Sequence, residues 1–328
     1  INKIPSQLER GAKFVAKSAM SPASGALLNS AFKAGQNAGN KKIPDKRASN
    51  SLSSIIKKDL KLVNNFLTSN IKSEVPLIPI LSEYLLQSGG KRIRPALTIL
   101  FSKLFGYKYG TRHIHLSACI EFIHMASLLH DDVVDESDLR RGKKTLNSMG
   151  NNHSSILIGD YLLSRCFEMM VEDGSIEVLK LLSSTSSKIA QGEVLQLQHK
   201  GEADLLEDTY IDIINLKTAS LFSAATKTGA CIAKVNEKEK KALESYGRNL
   251  GLAFQIADDA LDYYAKEKFF GKEIGKDFYE GKVTLPLITI FQKGNEEEKE
   301  FLTEIMKKEK RTEEDFSETS ALIFKYKA

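Results

Sequence analysis

Apolar residues recur three and four positions apart along most of the chain from Ser51 onward. One stripe is formed by Leu52, Ile55, Ile56, Leu60, Val63 and Leu67, and another by Leu116, Cys119, Ile120, Ile123 and Ser127. Residues spaced in this way share one face of an α-helix, whereas a half-buried strand alternates at every second position. The pattern therefore predicts an all-α protein whose helices each bury one side.

Turn residues interrupt these helical stretches at the spacing expected of a helix bundle. The interruptions are Gly89-Gly90, Gly106, Gly150-Asn151-Asn152, Asp173-Gly174 and Gly271. Only the run Lys282–Ile290 has enough β-branched residues to compete as a strand. We predict a single large helical domain over residues 49–328, because a 328-residue chain with 42% hydrophobic residues can bury a core of that size.

The leading segment, residues 1–48, differs in composition and is rich in Ala, Ser, Gly, Asn and Lys. The first 50 residues hold nine Lys or Arg against two acidic residues, which gives +7, so the remainder carries −2 of the net +5. A nearly neutral remainder argues against a nucleic-acid-binding module. We predict a poorly ordered basic extension, whose composition fits either a mitochondrial transit peptide or a fragment boundary, since the chain begins with Ile.

The cysteines and the longest apolar runs indicate the cellular setting. Cys119, Cys166 and Cys231 are widely spaced among apolar residues, which indicates buried side chains in a reducing compartment rather than a disulfide or metal framework. The sequence has no run of about 18 apolar residues, so we predict no transmembrane helix. The expected location is the cytoplasm, or the mitochondrion if the basic extension is a transit peptide.

The motif Asp-Asp-x-x-Asp occurs twice, as Asp131–Asp135 and Asp258–Asp262. On a helix its first and fifth positions lie about 40° apart on one face. Apolar residues precede both copies, and carboxylates in such surroundings are costly unless a cation is recruited, although a solvated helix face would explain either copy alone. Because a few carboxylates and substrate phosphates hold Mg²⁺ in proteins, the pair of motifs indicates a diphosphate bound through Mg²⁺.

Two clusters of basic residues accompany these motifs. Gly89-Gly90-Lys91-Arg92-Ile93-Arg94-Pro95 leads into a helix that we expect to begin at Pro95, and Arg140-Arg141-Gly142 follows the first motif, where its helix should end. Glycine lets a backbone approach an anion, and Lys and Arg bind phosphate oxygens. The alternatives are a surface patch for the first cluster and arginines bonded to helix carbonyls for the second.

Several of these segments together resemble the trans-isoprenyl diphosphate synthases. They are the Gly-Gly-Lys-x-x-Arg-Pro turn, Glu121–His124, Leu128–Asp132, Arg140–Gly142 and Phe254–Asp259, in that family's order and spacing. The resemblance runs from about Ser51 to Ile290 and is strongest to the octaprenyl, solanesyl and decaprenyl diphosphate synthases. It implies an all-α isoprenoid synthase bundle with a central active-site cavity, and Mg²⁺-dependent head-to-tail addition of isopentenyl diphosphate to an allylic diphosphate.

The resemblance also implies roles for single residues. Lys91, Arg94, His124 and Arg141 would bind the diphosphate of isopentenyl diphosphate. Arg140, Lys217, Thr218, Gln255, Lys272 and Lys282 would hold the allylic diphosphate. The Mg²⁺ ligands would be Asp131, Asp135 and Asp258, which with Asp132, Lys217 and Asp259 make up the implied catalytic set. A homodimer, peripheral membrane contact for product release and a product used for quinone side chains are implied as well.

Two departures from the family pattern stand out. Gly275-Lys276-Asp277 occupies the place of the usual Gly-Asp-Asp, and the segment after Ile290 is shorter than expected, which predicts a truncated C-terminus. The alternatives are a terpene cyclase, a short-chain synthase and the non-catalytic subunit of a heteromeric synthase. Two complete aspartate motifs argue against a silent subunit, and the second motif together with the Lys91–Arg94 cluster argues against a cyclase.

Product length should depend on Ala126 and Ser127, which lie about one helical turn before Asp131. In the family that the chain resembles, bulky aromatic residues at this place close the pocket, so small residues favour a long product; ordinary helix packing is the alternative explanation. Ser127→Phe or Ala126→Tyr should shorten the product to farnesyl or geranylgeranyl diphosphate, while short starters still react because no metal ligand changes. Reversed-phase thin-layer chromatography measures this, and unchanged long products from both variants rule it out.

Overall fold

A computed structural model describes residues 46–140, 142–264 and 274–328 of the chain, with side chains from residue 56 onward. The helices are α1 (Lys46–Asn70), α2 (Leu77–Gln87), α3 (Ile93–Leu104), α4 (Arg112–Val134), α5 (Leu146–Met149), α6 (Asn152–Asp173), α7 (Ile176–Gln198), α8 (Glu207–Ile214), α9 (Ser220–Ile232), α10 (Glu237–Tyr264), α11 (Lys276–Glu280), α12 (Leu285–Lys293), α13 (Glu296–Lys307) and α14 (Glu313–Tyr326). A π-helical segment, Asn215–Ala219, joins α8 to α9. The predicted all-α class is confirmed.

The described chain divides into two compact units. The first consists of the residues up to His130, His153–Ser183 and Leu221–Gly247, and the second of Asp131–Asn152, Ser184–Ser220 and Arg248–Ala328. The predicted domain boundary near residue 48 falls beside the start of the described chain and stays a prediction.

The predicted apolar stripes form much of the core of the first unit. The buried members are Ile56, Val63 and Leu67 of α1 and Leu116, Cys119, Ile120 and Ile123 of α4. Leu52 and Ile55 precede the described side chains. The three cysteines are buried free thiols, as predicted. Residues three and four apart along each helix thus remove one continuous face from water, which is the main stabilising contribution of such helices.

In the first unit α9 packs closely against α3 at Gly229. A Cβ atom at Gly229 would lie 2.9 Å from the carbonyl oxygen of Thr98 and 3.1 Å from the backbone nitrogen of Ser102. The hydroxyl of Thr98 donates a hydrogen bond of 2.9 Å to the carbonyl oxygen of Ala225. This close backbone contact fixes the position of α3, whose first turn carries Arg94.

The second unit has its own apolar core, built from α8 and α10 to α14. Its buried side chains include Tyr210, Phe278, Leu287, Ile305 and Ile323. Both α13 and α14 begin with a capping box, with Asn295 and Thr312 as the N-cap residues. Each box satisfies two backbone donors that the first turn of a helix leaves without partners.

The structure excludes the one competing strand and moves one predicted helix start. The run Lys282–Ile290 is not a strand, because from Leu285 onward it belongs to α12, with Pro286 in the first turn. Proline suits the first turn of a helix but removes a hydrogen-bond donor from a sheet. Helix α3 begins at Ile93 rather than at Pro95, so Pro95 again lies in the first turn.

Arg140 of the second basic cluster lies in a hairpin rather than at a helix end. Helix α4 ends at Val134, and Arg140 belongs to β1 (Leu139–Arg140), which pairs antiparallel with β2 (Lys143–Lys144). Gly142 has a φ of +73°, a conformation that the turn requires and that glycine adopts without strain. The expected helix-terminal position of Arg140 is therefore wrong.

Some predictions fall on residues outside the described ones, namely 1–45, 141 and 265–273. They concern the basic extension, Arg141, Gly271 and Lys272. The expected truncation of the C-terminus also stays a prediction. None of the described helices combines the length and the apolar composition that a membrane crossing requires.

Gly229→Ala should lower the free energy of unfolding by about 2 kcal/mol, because the new methyl group meets backbone atoms of α3 that move only if the helix shifts. At a helix position where the new methyl group meets no other atoms, the same substitution would stabilise the protein by about 1 kcal/mol. Lys241→Ala, on the exposed face of α10, serves as the control and should change stability by less than about 0.5 kcal/mol. Urea unfolding followed by circular dichroism decides; a stabilised Gly229→Ala variant would contradict the packing argument.

Candidate active site

The first aspartate motif lies at the C-terminal end of α4, in the second unit. The backbone nitrogen of Asp135 donates to the carbonyl oxygen of Asp131 at 2.8 Å, so the helical hydrogen-bond pattern continues through the motif. The side chains of Asp131 and Asp135 are 15% and 11% exposed. Both carboxylates are thus largely withdrawn from water yet remain accessible.

Lys217 lies beside Asp131 and is carried by the π-helical segment. Its Nζ atom is 3.6 Å from Oδ2 of Asp131, donates to Oε1 of Gln196 at 2.8 Å and pairs with Glu193. A Cβ atom at Gly192 would lie 2.6 Å from the backbone nitrogen of Lys217, so only glycine lets α7 approach the π turn this closely. Short π segments inside helices are frequent at functional sites, because the wide turn redirects side chains.

Lys282 lies beside Asp135. Its Nζ atom donates to Oδ2 of Asp135 at 2.7 Å and to Oε2 of Glu280 at 2.8 Å. Burial works against its charge, yet Asp135, Glu280 and Asp277 together raise the pKa of Lys282. Burial likewise works against the charge of Asp135, and the positive charge of Lys282 more than offsets it and lowers the pKa of Asp135. The pair is therefore ionised at neutral pH.

The second residue of the first motif, Asp132, is buried and has a structural role. Both Nε and Nη2 of Arg140 lie 2.8 Å from its Oδ1 atom. Nδ2 of Asn147 donates to the main-chain oxygen of Asp132 at 3.2 Å. Burial raises the pKa of Asp132 despite Arg140. With 3% of its side chain exposed, Asp132 anchors the hairpin to α4.

The second motif lies on α10, and its Asp259 is also buried. Oδ2 accepts a hydrogen bond of 2.6 Å from the hydroxyl of Tyr210, and Oδ1 accepts one of 2.6 Å from Nε2 of Gln255. Oε1 of Gln255 accepts a hydrogen bond of 2.8 Å from Thr218. Burial, reinforced by the charge of Asp277, raises the pKa of Asp259 to about 8. This chain of polar groups joins the π-helical segment to α10.

Asp258 and Asp262 occupy the first and fifth places of the second motif. Asp258 is half-buried. Oδ2 of Asp262 accepts a hydrogen bond of 2.9 Å from the backbone nitrogen of Asp277, and its carbonyl oxygen accepts one of 2.9 Å from Gly275. Asp262 thus stabilises the start of α11. The role of Asp258 as a metal ligand stays a prediction.

Lys276, which occupies the place of an expected aspartate, adds a positive charge to this region. Its Nζ atom donates to the hydroxyl of Ser137 at 2.9 Å and lies 3.3 Å from Oε1 of Glu280. It also helps to lower the pKa of Asp135. Glu280 is therefore shared between Lys276 and Lys282.

The donor set in the second unit fits a hard divalent cation. The carboxylates of the two aspartate motifs, together with Glu193, Asp277 and Glu280, supply oxygen ligands of the kind that Mg²⁺ takes. Among the described residues, no three carboxylate, imidazole or thiol groups already converge on one point. Mg²⁺ sites are commonly completed by substrate phosphates and water.

In the first unit, the Gly-Gly-Lys turn precedes α3. Gly89 has a φ of +86°, and Arg92 is a non-glycine residue with a φ of +48°. Lys91 is exposed, whereas Arg94 is half-buried with its guanidinium 4.6 Å from the centre of the Phe222 ring. His124 of α4 is half-buried in the same unit. Lys91, Arg94 and His124 of the predicted isopentenyl site therefore lie within one compact unit, and their roles stay predictions.

The two residues expected to set product length differ in burial. Ala126 is 3% exposed, and Ser127 is half-buried with its hydroxyl donating to the carbonyl oxygen of His124 at 2.9 Å. This hydrogen bond satisfies the serine within its own helix. Their predicted effect on chain length stays a prediction.

Sequence reasoning missed several residues of this site. They are Glu193, Gln196, Tyr210 and Glu280. A weak signal for the first two was present, because Glu193 and Gln196 lie three residues apart and so share one face of their helix. The roles of Tyr210 and Glu280 depend on contacts between distant segments and leave no local pattern.

Comparison with known proteins places these features in a family context. The family model described as polyprenyl synthetase matches residues 75–323. Octaprenyl diphosphate synthase from Escherichia coli (strain K12) is 45% identical over 244 residues, which cover 74% of this chain and 75% of that protein.

Two crystal structures are also similar. A decaprenyl diphosphate synthase from Rhodobacter capsulatus has a TM-score of 0.80 at 42% identity, covering 85% of this chain and 86% of that one. A polyprenyl synthase from Caulobacter crescentus CB15, complexed with calcium and isoprenyl diphosphate, has a TM-score of 0.80 at 43% identity, covering 84% of each chain.

Asp132→Asn should lower the free energy of unfolding by about 2 kcal/mol, because it removes the charge that compensates the guanidinium of Arg140. Breaking a fully buried pair costs about 3–5 kcal/mol, and the 29% exposure of Arg140 reduces that cost. Asp131→Asn is the matched control: Lys217 keeps Glu193 as partner, so stability should change by less than about 1 kcal/mol. Chemical unfolding in the presence of EDTA measures the stability of both variants. Equal losses of stability would show that Asp132 is no more important for the fold than Asp131.

Proposed function

This chain belongs to the polyprenyl synthetase family and is a prenyltransferase, and from that premise we propose that it is a Mg²⁺-dependent, long-chain polyprenyl diphosphate synthase. It adds isopentenyl diphosphate head to tail to an allylic diphosphate. The observation that carries the proposal is the pairing of Asp131 with Lys217 and of Asp135 with Lys282. Carboxylates suited to a divalent cation and lysines suited to phosphate oxygens are thereby held next to each other.

The proposed reaction exchanges one bond for another. The C–O bond between the allylic carbon and its diphosphate breaks, the isopentenyl double bond forms a C–C bond with that carbon, and the departed diphosphate accepts the proton that is lost. Mg²⁺, held by Asp131, Asp135 and Asp258, supplies positive charge that stabilises the leaving diphosphate. No protein nucleophile is needed.

The lysines are suited to bind the leaving diphosphate. The carboxylates around Lys282 raise its pKa, so it is protonated at any physiological pH and ready to donate to a phosphate oxygen. Lys217 is held from its other side by Gln196, which keeps its ammonium group near Asp131. Donors fixed in advance need no reorganisation as charge develops on the diphosphate. Arg140, Thr218, Gln255 and Lys272 remain predicted contacts of the same diphosphate.

The isopentenyl diphosphate site is assigned to the first unit. Lys91 and Arg94 supply positive charge at the start of α3, and His124 supplies a further donor from α4. Arg141, outside the described residues, is predicted to assist. The Caulobacter crescentus relative was crystallised with calcium and isoprenyl diphosphate, which supports a prenyl diphosphate and a divalent cation as ligands here too.

The long-chain product rests on small residues and on the relatives. Ala126 and Ser127 leave room one turn before Asp131. The octaprenyl and decaprenyl synthases named above favour a long product over the short-chain and non-catalytic alternatives. We propose that the product supplies quinone side chains, and that the enzyme acts in the cytoplasm, or in the mitochondrion if the basic extension is a transit peptide.

A homodimer is part of the proposal. In the first unit, Leu157, Val171 and Ile176 are 65%, 67% and 63% exposed, although each is a large apolar side chain. Apolar side chains grouped on an exposed surface mark interaction sites, and we propose that these three belong to such a group. A second copy of the chain is the partner we propose, with peripheral membrane contact where the long product is released.

The decisive experiment supplies labelled isopentenyl diphosphate and farnesyl diphosphate with Mg²⁺ and separates the products by chromatography. We expect long-chain products that disappear with EDTA and return when Mg²⁺ is added. Asp131→Ala and Asp258→Ala should each lose activity about 100-fold or more while the circular dichroism spectrum stays unchanged. Arg112→Gln, which removes an ion pair with Asp173 in the first unit, is the control and should keep activity. Activity of the aspartate variants near the unmodified rate would refute the assignment.

A further inference from the structure

Arg92 stands out in the Gly-Gly-Lys turn because its backbone is left-handed, with φ +48° and ψ +40°. Few non-glycine residues adopt this conformation, which is unfavourable for a side chain with a Cβ atom. Arg92 is also the N-cap of α3, and its carbonyl oxygen accepts the first helical hydrogen bond, from Ala96 at 2.9 Å. A strained conformation persists only where surrounding contacts hold it.

The guanidinium of Arg92 makes those contacts with three separate helices of the first unit. Nε donates to Oδ1 of Asn64 on α1 at 3.2 Å, and Nη2 donates to the carbonyl oxygen of Leu86 on α2 at 3.3 Å. Nη1 pairs with the carboxylate of Glu121 on α4. The side chains of Arg92 and Glu121 are 12% and 4% exposed. Arg92 therefore points inward and is a structural tie rather than a surface cation.

This tie lies between the two basic residues assigned to isopentenyl diphosphate. Lys91 precedes Arg92 directly, and Arg94 lies in the first turn of the helix that Arg92 caps. Because the guanidinium group of Arg92 fixes the backbone of Arg92 against α1, α2 and α4, it also fixes the neighbouring backbone that carries Lys91 and Arg94. Small displacements of binding groups weaken binding strongly.

We propose that Arg92, with Glu121, is a positioning residue for the isopentenyl diphosphate site and does not itself bind the substrate. Its left-handed backbone and its contacts with three helices determine where Lys91 and Arg94 lie. The inference rests on the proposed function. Removing the guanidinium group of Arg92 should therefore weaken the affinity for isopentenyl diphosphate and leave the affinity for the allylic substrate unchanged.

The test compares Arg92→Gly, Arg92→Lys and Glu121→Gln. Glycine adopts the left-handed conformation without strain, so Arg92→Gly removes the guanidinium contacts and keeps the backbone conformation. Lysine keeps the positive charge but lacks the guanidinium group, so Arg92→Lys separates the contacts with the three helices from simple attraction of a diphosphate. Arg112→Gln, which breaks the ion pair with Asp173 in the same unit, controls for loss of any arginine ion pair.

For each variant we would measure the KM for isopentenyl diphosphate at saturating farnesyl diphosphate, the KM for farnesyl diphosphate, kcat, the melting temperature, and binding of isopentenyl diphosphate alone by calorimetry. The three test variants should raise the KM for isopentenyl diphosphate about 10-fold, with kcat and the other KM within about 2-fold. The control variant, Arg112→Gln, should leave both KM values and kcat unchanged. An unchanged KM in Arg92→Gly, or full retention of affinity in Arg92→Lys, would overturn the inference.

Arg94→Ala and Lys91→Ala tell this failure apart from failure of the proposed function. If these two variants weaken isopentenyl diphosphate binding and the Arg92 variants do not, the site is correct and the positioning role is wrong. If none of them changes binding of isopentenyl diphosphate, the site assignment itself is wrong, and the inference falls with it.

Discussion

The balance of charge around the first aspartate motif is the constraint on which the candidate site depends. Asp131 and Asp135 are mostly buried, and each has a cation from a different element beside it: Lys217 from the π-helical segment and Lys282 from the loop before α12. Ionised carboxylates in such surroundings are stable only when paired. The same pairs keep the lysines assigned to phosphate next to the carboxylates assigned to metal, so one electrostatic requirement would serve both stability and the proposed chemistry.

That requirement gives different roles to the members of each motif. Asp132 and Asp259 point into the protein, where Arg140 holds one and Tyr210 and Gln255 hold the other. They fix the hairpin and the π segment, and so determine where the exposed edges of the motifs lie. In each five-residue motif, some aspartates are thus assigned to metal binding and another supports the backbone that positions them, as pre-organised sites require.

In the first unit, basic side chains are also held in place by a buried ion pair, here without a cluster of acidic residues. The turn that we propose to bind isopentenyl diphosphate would need two basic side chains in fixed positions on an exposed loop, and loops are intrinsically mobile. The buried guanidinium of Arg92 connects that loop to three helices, and Glu121 neutralises it. In both units, therefore, a buried ion pair stabilises the backbone whose neighbouring side chains are assigned to substrate.

The sequence by itself determined the helical class, the buried stripes and the two motifs, because helical periodicity and local spacing are properties of neighbouring residues. It also assigned Lys217 and Lys282 to one substrate through family resemblance. Only the tertiary structure decided that Arg140 belongs to a hairpin and anchors Asp132, and that Lys282–Ile290 is mostly helix. It alone brought Glu193 and Glu280 beside these lysines, since pairing between distant segments depends on packing and burial, which no local pattern encodes.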